Sequence, residues 1–179
     1  MEIKKIHQIL IEGGVIAYPT DSVFGLGCDP SNEQAILKII EIKKRTLEMG
    51  LVLLTPSFEI VSDWVNMNNE QLKIFTRPTK RPTTYIVPAS DSVPKWLAVK
   101  NTLAIRLSND SFINNICGML GLPIVSTSAN LHGEQPCRSA NEVKKIMGSQ
   151  LDYIVFKKTG PFNNPSTIVD LSSGKTIRP

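Results

Sequence analysis

Ile3, Ile6, Ile9 and Leu10 recur at helical spacing and run into Gly13-Gly14, so residues 3–12 are predicted to form a first helix with a glycine stop. Val15-Ile16-Ala17-Tyr18 then reads as a buried strand ended by Pro19. Beyond Gly25-Leu26-Gly27, taken as a glycine-rich loop, Ser31-Asn32-Glu33-Gln34 has the form of a capping box, and Ala35, Ile36, Ile39 and Ile40 mark the apolar face of a second helix. A short central strand is expected over 51–54 and mostly helix over 57–76, and β-branched residues predict strands over 83–88 and 102–107. A helix over 110–120 separates the last of these from a strand starting at Ile124. Ser139-Ala140-Asn141-Glu142 is a second capping box, for a helix stopped by Gly148, and strands follow over 153–156 and 167–171.

Strands and helices mixed in this irregular order predict an α/β (α+β) fold: an open, twisted, mixed β-sheet flanked by helices. At 179 residues the chain fits one domain, 1–179, with a sizeable core. The hydrophobic fraction of 41% and mean hydropathy of −0.03 are ordinary for a globular protein, and no apolar run approaches the roughly 20 residues that span a bilayer. The N-terminus enters an amphipathic pattern without a signal-type apolar core, so a cytoplasmic protein with no membrane association is expected. Cys28, Cys117 and Cys137 are an odd set without Cys-x-x-Cys spacing, which argues for buried thiols and against disulfides or a structural metal. His7 and His132 stand in no supporting motif for a metal cluster or a Ser-His-Asp triad.

Two features carry candidate chemistry. In an extended backbone Ser126, Ser128 and Asn130 face one side together, forming a hydrogen-bonding ledge at the exit of the Ile124 strand. Lys43-Lys44-Arg45 places a cationic Lys-x-Arg at a helix end, suited to a polyphosphate, although alone it is also an ordinary solvated helix terminus. The net charge of +4 and pI near 9.0 fit an anionic ligand such as ATP or RNA. Gly25-Leu26-Gly27 lacks the third glycine of a dinucleotide fingerprint, and there is no Walker A sequence. A nucleotide would be held by side chains converging from several strand ends, at an edge or concavity of the sheet.

The K-x-R and S-x-N elements, Lys43-Lys44-Arg45 and Ser128-Ala129-Asn130, resemble the signatures of the YrdC-like threonylcarbamoyl-AMP synthases. The resemblance extends over residues 18–27, Leu103-Ala104-Ile105-Arg106, 126–130 and 165–170, in the family's order along nearly the whole chain. It implies a nucleotidyltransferase that converts L-threonine, bicarbonate and ATP, with Mg2+, into threonylcarbamoyl-AMP and pyrophosphate. The product would pass to separate tRNA threonylcarbamoyl transferase proteins for tRNA modification, and direct tRNA or double-stranded RNA contact is left open. By the same resemblance Lys43 and Arg45 are triphosphate ligands, and Ser126, Ser128 and Asn130 bind threonine and phosphate oxygens, with Lys43, Arg45, Ser128 and Asn130 as the catalytic set. Arg106 partners the threonine carboxylate, Thr20, Ser22 and Ser166 contact threonine, and Arg138 and Arg178 contact ATP.

The chain departs from the family pattern at Thr46 and Met49, where proline and a second lysine are usual, at Leu54 in place of a histidine, and over 79–84, where a Trp-Pro-Gly-Pro stretch is replaced. Lys80 or Arg81 is a candidate substitute for the missing cation. A diverged paralogue that binds nucleotide or RNA without synthase activity is the alternative, and a plain RNA-binding module is a further one.

Overall fold

The computed structural model describes residues 2–44, 46, 50–162 and 164–179; Arg45 and Met49 lie outside them. Among the described residues, nine strands form one open mixed sheet in the order β7-β1-β2-β6-β3-β5-β4-β8-β9. The strands are β1 (Ile16–Pro19), β2 (Phe24–Gly27), β3 (Val52–Thr55), β4 (Thr83–Pro88), β5 (Thr102–Leu107), β6 (Ile124–Ser128), β7 (Tyr153–Ile154), β8 (Thr167–Asp170) and β9 (Thr176–Arg178). The pairs β1–β7, β3–β5 and β4–β8 are parallel and the others antiparallel. The helices are α1 (Glu2–Ile11), α2 (Glu33–Lys43), α3 (Asn69–Phe75), α4 (Ser111–Leu120) and α5 (Ala140–Met147).

Alternation along the strands divides the core in two. Ala17, Leu53, Tyr85, Leu103, Ile105 and Val125 pack with α2, α3 and α5 on one face, whereas Ile16, Tyr18, Leu54 and Ile124 pack with α1 and α4 on the other. Burying each large aliphatic side chain contributes about 1.5–3 kcal/mol. Helices α1 and α4 cover only part of their face. Where they stop, the same face carries Val52, Ala104 and Ser126, which are neighbours across the sheet because Val52 pairs with both Ala104 and Ser126. Small and polar residues leave a concavity there.

The structure revises several local expectations. Residues 25–27 are a strand and not a loop, since Gly25, Leu26 and Gly27 pair with β1 while Gly25 and Leu26 pair with β6. Gly27 is required by close approach: a Cβ there would lie 2.6 Å from Tyr18 Cε1 and 2.6 Å from the Val125 carbonyl oxygen. Gly27→Ala is therefore expected to destabilise the protein by about 1–3 kcal/mol, the usual cost of overpacking, which a denaturant titration against wild type measures. The N-cap of α2 is Asn32 and not Ser31; the Asn32 side chain accepts from Ala35 N, while Ser31 bonds Asp29. Ser139 caps α5 as expected, but Glu142 accepts from Arg138 N, so the box is not reciprocal. The stretch 57–76 is interrupted: a 3-10 helix, Glu59–Trp64, ends where Val65 bridges to Ala89, and α3 restarts behind an Asn68–Gln71 capping box. Strand β7 stops at Ile154, and β9 was not foreseen.

All three cysteines are buried and free. Burial pushes the Cys117 thiol up to about 12 from its ordinary 9.0. An acid whose folded value is raised contributes stability that is complete below pH 9 and is lost as the pH rises toward 12. His7 is half-buried on α1 and His132 is exposed in a loop. Among the described residues no helix is long and apolar enough to cross a membrane, and no group of His, Cys, Asp or Glu is arranged to hold a metal ion.

Candidate active site

The open part of the sheet face forms a cavity of about 450 Å³, within the usual range for small-molecule sites. Its floor is built by alternate residues of five strands: Gly25 of β2, Ser126 and Ser128 of β6, Val52 of β3, Thr102, Ala104 and Arg106 of β5, and Ile86 of β4. Thr20 and Ser22, from the β1–β2 turn, and Pro165, Ser166 and Arg178, from the β8–β9 side, supply its walls.

Arg106 is the dominant charge in this space. It is only 6% exposed, because Ile105 and Leu103 anchor the opposite face of β5 while Arg106 points into the cavity. Its Nη2 lies 3.8 Å from Asp21 Oδ2, and its Nε has no hydrogen-bond partner among the described residues. Burial pulls its pKa down, Asp21 pulls it back up, and the guanidinium remains charged. A buried cation with an unmatched donor is costly, and an anionic ligand would complete it.

Serine and threonine hydroxyls surround that cation. Thr20 Oγ1 donates to Val23 O at 2.8 Å, so the residue both closes its turn and lines the cavity. Ser22 and Ser126 are buried and Ser128 is half-buried. Beneath Ser126, the Tyr18 hydroxyl donates to Val125 O at 3.1 Å; burial raises its pKa, partly offset by its hydrogen bond with Ser126. On the far wall, Arg178 donates to the Ser166 carbonyl from Nη2 at 2.7 Å and from Nε at 3.1 Å.

Lys43, Asn130 and Arg138 do not line the cavity. The strand alternation that grouped Asn130 with Ser126 and Ser128 ends at Ser128, because Asn130 N turns back to bond Ser128 O at 3.0 Å. Asn130 Oδ1 accepts from Ser128 Oγ at 2.6 Å and from Lys43 Nζ at 3.0 Å, and its amide nitrogen donates to Leu131 O and Glu134 O. The Lys43 ammonium also donates to the carbonyls of Asn130, at 3.0 Å, and Ser128. Lys43, expected to meet a triphosphate, is thus buried at the end of α2 with its ammonium on the Ser128–Asn130 turn. Arg138 is exposed beside the N-terminus of α5. Arg45, expected in the same set, lies outside the described residues, as does Met49. Lys80 and Arg81 are exposed and do not line the cavity.

Sequence reasoning missed Thr102 and Ala104 as lining residues. Their signal was present in the period-2 alternation Thr102, Ala104, Arg106 against Leu103 and Ile105. The contribution of Pro136 had no comparable signal.

A family model described as "Telomere recombination", that of the Sua5/YciO/YrdC proteins, matches residues 8–179. The threonylcarbamoyl-AMP synthase of Haemophilus influenzae is 40% identical over 182 residues, covering 99% of each chain. P. abyssi Sua5, solved in complex with L-threonine, superposes with a TM-score of 0.87 and 25% identity over 96% of this chain, which spans 51% of that longer protein. E. coli YciO superposes with a TM-score of 0.84 and 26% identity, covering 99% of this chain and 88% of its own.

Proposed function

The chain belongs to the Sua5/YciO/YrdC family, and we propose that it is a threonylcarbamoyl-AMP synthase, joining L-threonine, bicarbonate and ATP into threonylcarbamoyl-AMP with release of pyrophosphate. The observation that carries this reading is Arg106, a buried guanidinium aimed into a hydroxyl-lined cavity with its Nε unmatched. A carboxylate is the planar two-oxygen anion that such a group binds best. Thr20, Ser22 and Ser126 offer hydrogen bonds to the rest of an amino acid held there.

The amine condenses with bicarbonate to a carbamate, releasing water. A carbamate oxygen then bonds the α-phosphorus of ATP as the bond to the β-phosphate oxygen breaks, and pyrophosphate leaves. The carbamate of threonine and ATP are both anionic, so the protein's task is to hold them close against repulsion and in line. Arg106 with Ser166 fixes the amino-acid end, and Arg178 with Ser128 supports the nucleotide and the forming mixed anhydride. Arg45 and Arg138 add cations on the strength of the family pattern. Lys43 and Asn130 set the turn that presents Ser128. Mg2+ would enter with ATP on its phosphates and offset part of their charge; among the described residues that line the cavity there is no carboxylate. The labile product passes to separate proteins that transfer the threonylcarbamoyl group to tRNA, and direct contact with tRNA rests on the net charge of +4.

Purified protein is expected to release pyrophosphate from ATP only when both L-threonine and bicarbonate are present, read by a coupled pyrophosphate assay. ATP turnover indifferent to threonine would overturn the synthase reading, and nucleotide binding without turnover would favour a diverged paralogue.

A further inference from the structure

We propose that Thr84 is a positioning residue for this reaction, its buried hydroxyl donating to Ser166 so that the Ser166 hydroxyl hydrogen is turned into the cavity toward an oxygen of the substrate. The inference rests on the synthase reading and adds to it a residue that does not itself line the cavity.

Thr84 is fully buried on β4 and pairs with Ile168 of β8, two residues beyond Ser166. Its Oγ1 lies 2.8 Å from Ser166 Oγ, its sole hydrogen-bond partner among the described residues. Each hydroxyl has one hydrogen to give. If Ser166 donated to Thr84, the Thr84 hydrogen would be sealed in the core with no acceptor, at the full desolvation cost of a buried donor. The opposite direction satisfies both groups: Thr84 donates, and Ser166 keeps its hydrogen. Arg178 Nη2 lies 3.4 Å from the same Ser166 Oγ and can only donate, so it too faces a lone pair. With Thr84 donating from the buried side and Arg178 from the cavity wall, the hydrogen left to Ser166 faces the open cavity that Ser166 lines. The β-branched side chain of Thr84, stiff at χ1 and fully buried, holds this arrangement in place. Ser166 is thereby specified as a donor, matched to a carboxylate, hydroxyl or phosphate oxygen and not to the substrate amine.

The test compares Thr84→Val, which keeps shape and loses the hydroxyl, with Thr84→Ser, Ser166→Ala and the Thr84→Val/Ser166→Ala pair. L-threonine binding is measured by calorimetry, KM and kcat by pyrophosphate release, and Tm by thermal melting. Thr84→Val is expected to raise the threonine Kd and KM five- to tenfold, Thr84→Ser to stay within twofold of wild type, and Thr84→Val to add less than twofold in the Ser166→Ala background. The proposal is overturned if Thr84→Val binds threonine like wild type, if its effect persists in full without the Ser166 hydroxyl, or if Thr84→Ser fails to rescue. A wild type that binds threonine but releases no pyrophosphate removes the synthase reading and leaves threonine affinity to decide the role of Thr84; a wild type that binds no threonine removes both.

Discussion

Replacing Arg106 by alanine is expected to raise the threonine concentration needed for half-maximal pyrophosphate release ten- to a hundredfold, with a much smaller effect on the ATP requirement. Hydrogen bonds to a charged partner are each worth about 1.5–3 kcal/mol, and every 1.4 kcal/mol is a factor of ten in affinity. The guanidinium is 6% exposed, so solvent cannot take over its role when it is removed. Stability should behave differently from activity. Arg106 is a buried cation whose nearest carboxylate oxygen, on Asp21, is 3.8 Å away and whose Nε is unmatched, so the unliganded protein bears much of its desolvation cost. Arg106→Ala should therefore keep the wild-type Tm or exceed it. Loss of ATP affinity alone would assign Arg106 to the wrong substrate, and a large fall in Tm would make it structural.

Replacing Lys43 by methionine is expected to lower stability by about 1.5–3 kcal/mol and turnover at least tenfold together, because the ammonium joins α2 to the Ser128–Asn130 turn 85 residues away. Methionine preserves the stem but leaves the Ser128 and Asn130 carbonyls and Asn130 Oδ1 without that donor. His132 N bonds Lys43 O at 3.0 Å, so backbone and side chain of one residue hold the same loop. A residue acting purely as a phosphate ligand would give the opposite signature, a raised ATP KM at unchanged Tm. Thermal melting and ATP titration on one variant separate the two roles, and an unchanged Tm would sink the clamp.

Much of the frame was legible because local rules and tertiary context agreed. Strands β4 and β5 have the predicted bounds, since β-branched alternation was backed by burial of one face. Helix α4 starts at its Asp110 cap, which accepts from Phe112 N and Ile113 N, and ends at Gly121, whose φ of 66° only glycine adopts cheaply. Strand β2 was misread because glycine is a turn residue unless a neighbouring strand needs the room. That neighbour, Tyr18, is reached only by pairing. Ser31 and Asn32 both satisfy an N-cap pattern, and Asp29 decides between them by taking the Ser31 hydroxyl.

By itself the sequence determined that Ser126 and Ser128 share a face and that Arg106 shares one with Ala104 and Thr102, because side-chain direction in a strand follows from parity alone. It also determined which residue types stand ready for an anion. Only the tertiary structure decided which of them meet. The sheet order puts β6 and β5 on either side of β3, so Ser126 and Arg106 reach one cavity although 20 positions separate them. A turn at Ala129 takes Asn130 out of the strand's alternation, and the closing of α2 onto that turn makes Lys43 a buried clamp. Parity is local and survives in one dimension, whereas the partner of a buried charge is fixed by desolvation, which depends on everything packed around it.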